Sequence, residues 1–252
     1  MNSAIFITAR MKSSRLPRKA LIEIEEKTLI EHLIDRLKLA KLPKIVVMCT
    51  SVNPNDSVLV EVAKKNGIQY FQGSEKDVLE RFVAAAEKFN IDFVVVTWGD
   101  EIFCEPKYID EMVRFFEKTN ADLIKCEELP EGTETIGVKV SALKKVCEIK
   151  DEEDTEVWGG YFEKGPFDIK YMKVEDEEVK NFKARLTIDY PEDFNLIKEI
   201  FKRLYKKGKV FLLDEIIPLL KANPELLEIN KLCHEKYEEN VGKAPRPKFK
   251  EI

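Results

Sequence analysis

Residues 4–21, AIFITARMKSSRLPRKAL, constrain the fold more than any other stretch of the chain. Ala4-Ile5-Phe6-Ile7 is a short apolar run bounded by polar residues, the pattern of a buried strand. Arg10, Lys12, Arg15, Arg18 and Lys19 follow at once, interleaved with Ser13, Ser14 and Pro17. A strand therefore delivers a basic loop to the end of a sheet, where open α/β folds bind ligands. So much positive charge among hydroxyl and backbone donors suits a polyphosphate. The Gly-rich GxxxxGK[ST] pattern of a Walker loop is absent. From charge alone, a solvated basic turn would read the same way.

The alternation continues downstream. Leu29, Ile30, Leu33, Ile34 and Leu37 recur at helical spacing over residues 28–40. Ile45-Val46-Val47-Met48 reads as a second strand, residues 68–71 as a third and Phe93-Val94-Val95-Val96 as a fourth, with helices starting at Asp56 or Ser57 and at Val78. Strands and helices of these lengths predict a mostly parallel sheet with right-handed crossovers. Four polar loops follow the strands: the basic loop, residues 50–55, residues 72–77 and Gly99-Asp100-Glu101. All four are expected at one crevice. Asp100, after a strand and a glycine, is free to take a hard cation.

Beyond residue 106 a helix to 119, a strand over 122–126 and an acidic turn at 127–134 are expected, then short alternating segments at 136–140, 158–162 and 169–174. Arg185-Leu186-Thr187-Ile188 reads as a strand ending at Asp189, with Pro191 opening a helix capped by Glu192 and Asp193. The tail has helical spacing at 212–220 and 226–233. Ala244-Pro245-Arg246-Pro247-Lys248 reads as a loose end.

The 252 residues fit one domain, and the net charge of -5 argues against a general nucleic-acid binder. Cys49, Cys104, Cys126, Cys147 and Cys233 are scattered, and with only His32 and His234 beside them they predict reduced thiols and no zinc site. No signal peptide and no membrane span is read, which predicts a cytoplasmic protein.

The motif Ala9, Arg10, Ser13, Ser14, Arg15, Leu16, Pro17, Lys19, Leu21 closely resembles the N-terminal signature of CMP-sugar synthetases, the cytidylyltransferases for acylneuraminate, octulosonate and related acids. The nearest branch is the spore-coat polysaccharide type. GSEKDVLERF at 73–82 is similar to that family's G-S-E-D-D-V-L-D-R-Y, and RLTIDYPEDF at 185–194 to its R-L-T-V-D-T-P-E-D-L. Departures stand at Arg18, where the family usually has Gly, at Val96 and Trp98, at Cys104-Glu105-Pro106, and at residues 154–160, where R-E-H-V-T is replaced.

The resemblance implies a three-layer, Rossmann-like nucleotide-diphospho-sugar transferase fold. Residues 1–252 would form one domain, with a small β-rich arm at 133–176 for dimerisation and the acceptor pocket, and C-terminal helices and tail at 210–252. It implies a magnesium-dependent cytidylyltransferase that moves CMP from CTP to a sugar acid or related acceptor with release of pyrophosphate, as a homodimer. Ala9, Arg10, Ser14, Arg15, Lys19, Thr50, Ser51, Gly73 and Ser74 would bind the nucleotide, and Arg10, Lys19 and Asp100 would be catalytic. Asp100 and Asp189 would hold Mg2+, and Trp158 and Tyr161 would meet the acceptor. Because the loop is taken as exposed and the two acids as a like-charge pair, neutralising any of these charges is expected to leave stability intact. A nucleotidyltransferase with another base or a phosphorylated acceptor would share these residues, and a non-catalytic nucleotide-binding assembly protein is the rival from another class.

Overall fold

The computed structural model describes residues 1–13, 15–241 and 247–250. Among these residues nine strands and nine α-helices follow in order: β1 (Ser3–Thr8), β2 (Glu23–Ile24), β3 (Lys27–Thr28), α1 (Leu29–Leu37), β4 (Ile45–Ser51), α2 (Ser57–Lys65), β5 (Gln69–Gly73), α3 (Val78–Lys88), β6 (Phe93–Trp98), α4 (Pro106–Thr119), β7 (Leu123–Lys125), β8 (Ile136–Lys139), α5 (Val140–Ile149), α6 (Gly159–Lys164), β9 (Ile169–Tyr171), α7 (Pro191–Leu204), α8 (Leu213–Ala222) and α9 (Cys233–Val241). Seven strands form one sheet in the order β5-β4-β1-β6-β8-β7-β9, parallel except for β8. β2 and β3 form a separate hairpin.

Period-two alternation along the central strands fills two cores. Ile5, Ile7, Phe93 and Val95 face α1, α2, α4, α7 and α8; Ala4, Phe6, Val94 and Val96 face α3, α5 and α6. Three layers result. Each fully buried Ile, Val or Phe contributes roughly 1.5–3 kcal/mol, so charge at Phe6 or Val95 would break the sheet. Helix starts follow local chemistry. Thr28 and Glu31 make a capping box on α1, and the Asp77 carboxylate accepts from Glu80 N at 3.0 Å at the start of α3.

Three expectations are corrected. Residues 158–162, read as a strand, lie largely in α6, and 133–176 contributes β8 and β9 to the main sheet and α5 and α6 to its face instead of a separate arm. The aromatic run Trp158, Tyr161, Phe162 has helical spacing and buries one face against Phe82 and Phe167. No strand precedes Asp189: Arg185 makes one isolated bridge with Glu131. In the tail, Ala244, Pro245 and Arg246 lie outside the described residues. Pro247 and Lys248 are not loose: Pro247 packs beside Gly160, and Asp151 N donates to Lys248 O at 2.9 Å.

Among the described residues all five cysteines are free, and no helix is long and apolar enough to cross a membrane.

Candidate active site

The chain runs from β1 outward to β4 and β5, then crosses back to place β6 on the other side of β1. Loops leaving the C-terminal ends of β1 and β6 therefore diverge, opening a crevice between them. The cleft there has a volume of about 800 Å³ and is lined by Ala9, Arg10, Lys12, Arg15, Lys19, Trp98, Asp100, Glu134, Trp158 and Asp189, among others.

Two glycines bring its walls together. A Cβ at Gly99 would stand 2.8 Å from Ala9 Cβ, so only glycine lets the β6 loop meet the β1 loop and present Asp100. Gly132 has φ +86°, and a Cβ there would come within 2.2 Å of Thr187 N. That close approach, with Leu186 N donating to Glu131 O at 2.7 Å, carries the segment before Asp189 to the cleft without a strand. Asp193 then fixes the turn by accepting from the backbone N–H groups of Asp189 (2.9 Å) and Tyr190 (3.0 Å).

At the centre, the Lys19 ammonium bridges the carboxylates of Asp100 and Asp189, donating to the latter at 3.0 Å. Arg15 and Arg185 also donate to Asp189, Arg185 at 2.9 Å. Burial opposes the charge on Lys19, but Asp100 and Asp189 outweigh it and hold the ammonium above its ordinary value. Burial likewise opposes ionisation of Asp189, and Lys19 and Arg15 hold it below the usual carboxylate range. Lys19 is thus enclosed, its side chain 17% exposed, and is not the free loop charge expected. Arg10 donates to Glu75 O at 2.9 Å and pairs with Glu156 at 2.6 Å.

Several nucleotide candidates lie behind the cleft instead of in it. Thr50 and Ser51 are fully buried. The Thr50 hydroxyl donates to Ala9 O at 2.9 Å, and that of Ser51 to Asp56, whose other oxygen accepts from Met11 N at 2.7 Å. Consecutive strand residues face opposite ways, so Thr50 holds the basic loop directly and Ser51 holds it through Asp56. Gly73 and Ser74 flank a residue that the site reading omitted, Arg81. Its guanidinium donates to Ser74 O at 2.7 Å and to Thr8 Oγ1 at 3.3 Å, is 1% exposed, and lines the cleft with Nε unpartnered. The signal was present, since a buried charge on the core-facing spacing of α3 demands a polar neighbour. Ser14 lies outside the described residues. Trp158 lines the cleft, stacked 10° from parallel on Trp98 with ring centres 6.3 Å apart. Tyr161 does not. It is turned into the core beneath α6, its ring 5.6 Å from that of Phe249.

α9 roofs the cleft, a role no motif announced. The Tyr237 ring lies 5.6 Å from the Arg15 guanidinium and 5.2 Å from that of Arg185, and His234 Nδ1 is 3.0 Å from Glu131.

Among the described residues no group of three or more His, Cys, Asp or Glu is placed to hold a metal. Two carboxylates converging on one cation nevertheless fit Mg2+, which takes one or two carboxylates and completes its octahedron with water and phosphate oxygens.

Comparison with known proteins agrees with this geometry. The family model described as cytidylyltransferase matches residues 4–217. The chain is 31% identical over 234 residues to an uncharacterized protein of Methanocaldococcus jannaschii, covering 91% of this chain and 95% of that one. It is 30% identical to the spore coat polysaccharide biosynthesis protein SpsF of Bacillus subtilis, covering 89% and 97%. The solved structure of a cytidylyltransferase from Leptospira borgpetersenii superposes with a TM-score of 0.82 at 28% identity, covering 90% and 97%. CMP:2-keto-3-deoxy-manno-octonic acid synthetase complexed with CTP shares the fold, with a TM-score of 0.64 at 14% identity over 81% of this chain and 100% of that one. With the family match spanning most of its length and the basic loop facing paired aspartates, this chain belongs to the cytidylyltransferase family.

Proposed function

We propose that the protein is a magnesium-dependent transferase that moves CMP from CTP to a sugar acceptor, releasing pyrophosphate, in the synthesis of a surface polysaccharide or glycoconjugate precursor. The observation that carries this reading is the Lys19 bridge between Asp100 and Asp189 at the mouth of the basic loop. The similarity to a spore coat polysaccharide protein and to 3-deoxy-manno-octulosonate cytidylyltransferases supports the pathway class.

Arg10, Arg15 and Lys19 bind the triphosphate, exchanging their present carboxylate partners for phosphate oxygens. An acceptor oxygen attacks the α-phosphorus in line with the departing pyrophosphate, whose charge the same three cations neutralise. Asp100 and Asp189 would hold Mg2+, which when bound offsets negative charge on the transferring phosphoryl group. Catalysis is then chiefly positioning and charge neutralisation. Tyr237 and Tyr190, packed on Arg15, keep its guanidinium aimed into the cleft.

Burial of Thr50 and Ser51 leaves the base to be read by other groups, so the test compares bases. With Mg2+ present, CTP should raise the melting temperature more than ATP, GTP or UTP. A ligand at ~100 times its Kd adds roughly 2.7 kcal/mol. Equal shifts from all four nucleotides would remove the cytidine assignment.

A further inference from the structure

A second cavity, of about 300 Å³, shares no lining residue with the catalytic cleft. It is less than half the volume of the cleft and at the small end for small-molecule sites. β3 and α1 form one side of it, and the end of α7 with the turn before α8 forms the other. Three cations line it, Lys27, Arg36 and Lys209, against one acid, Asp35. Lys27 is paired with Asp35, and Lys209 with Glu215 at 2.7 Å.

Arg36 is different. It is 3% exposed, yet its salt-bridge partner Glu105 stands 3.9 Å away, beyond hydrogen-bond reach, and accepts from Leu213 N at 3.0 Å. Its Nη2 donates to Phe211 O, and the guanidinium lies over the rings of Phe103 and Phe211, 5.3 and 5.7 Å from their centres. Nη1 has no hydrogen-bond partner among the described residues. Burial, only partly offset by Glu105, pushes the guanidinium down to about 10. A buried donor without an acceptor is rare in native folds, and a buried charge needs a close partner. An oxygen of a bound anion would supply both.

The remaining walls are largely aromatic. His32 meets Phe201 edge-on with ring centres 4.7 Å apart, and Phe201 lies 5.0 Å from Phe211 and 6.1 Å from Tyr205. Aromatic walls beside a cation suit a planar ring that carries a negative group.

We propose that this cavity is a second ligand site for a small organic anion, one planar ring bearing a phosphate or a carboxylate group, with Arg36 Nη1 as its charged donor. The exposed Lys209 adds positive charge beside it.

The chain has two histidines, and they report the two sites separately: His32 lines this cavity and His234 lines the cleft. Imidazole proton NMR, with the signals assigned by His234→Gln, follows titrations of phenyl phosphate, benzoate and uncharged phenol. At least one of the two anions should shift the His32 signal saturably, with a Kd at least tenfold below that of phenol. The tighter of the two identifies the anionic group. Arg36→Met, similar in length and uncharged, should weaken that binding at least tenfold. Because Arg36 is buried and its loss could unfold the chain, Lys209→Gln is the second variant; its exposed charge matters little to folding, and removing it should weaken the same anion about threefold. An unmoved His32 signal, a shift of His234 alone, equal affinity for phenol, or unchanged anion affinity in either variant that folds would each overturn the proposal.

Discussion

Arg18 has φ 56° and ψ 27°, a left-handed backbone at the entry to the short 3-10 turn Lys19–Leu21. A residue with a Cβ is strained there by about 1–2 kcal/mol, which accounts for the glycine usual at this place in similar sequences. Arg18→Gly should therefore stabilise the fold by about 1 kcal/mol after glycine's entropic cost, read as a rise in the denaturation midpoint; a fall would mean that the arginine makes a compensating contact. Asp100 and Asp189 look alike in sequence and differ in surroundings. The side chain of Asp189 is 4% exposed and shared by Lys19, Arg15 and Arg185, whereas that of Asp100 is 20% exposed and meets Lys19. Both Asn variants should lose pyrophosphate release. Asp189→Asn should also cost about 3 kcal/mol, because it strands buried guanidinium charge, while Asp100→Asn should cost little. Equal melting temperatures for the two variants would contradict this.

At the scale of elements, the cleft depends on supports that touch no substrate. At the end of β4 Thr50 holds Ala9, and Ser51 holds Asp56, which in turn holds Met11, so the end of one strand fixes the curvature of the basic loop. α9 acts from above. Tyr237 lies against both Arg15 and Arg185, and Asn240 donates to the Tyr190 hydroxyl at 3.1 Å. Tyr237→Ala should leave the fold intact, since the residue lies outside both cores, and weaken CTP binding about fivefold by freeing Arg15. Calorimetric titration checks this, and unchanged affinity would make α9 a cover with no part in binding.

For the whole molecule, Glu134, which has no side-chain partner among the described residues, links stability to pH through its burial beside Glu131 and Glu127. Its carboxyl titrates near 7 when folded against an ordinary value of 4.5. Between these values the folded chain holds more protons than the unfolded one, so stability is fullest below about 4.5 and falls as pH rises through 7. The interval corresponds to at most about 3 kcal/mol. Without metal or nucleotide, Glu134→Gln should match the parent at pH 5 and melt higher at pH 8. Parallel pH profiles would show that Glu134 is solvated after all.

Periodicity and spacing alone determined the mostly parallel sheet with helices between its strands, and the family resemblance implied its three layers. Alternating apolar strands and amphipathic helices have few ways to bury their faces, and β1, α1, α4 and α7 lie where the pattern put them. The basic loop and Asp100 were legible too, because each adjoins a strand end. What tertiary structure alone decided is which polar groups face the cleft. Thr50 and Ser51 are buried and hold a loop, Tyr161 packs in the core, and Arg81 lines the cleft from α3. Asp189 arrives by a glycine-permitted approach in place of a strand. The roof of α9 joins residues more than a hundred positions apart, and local periodicity carries no information about contacts at that range.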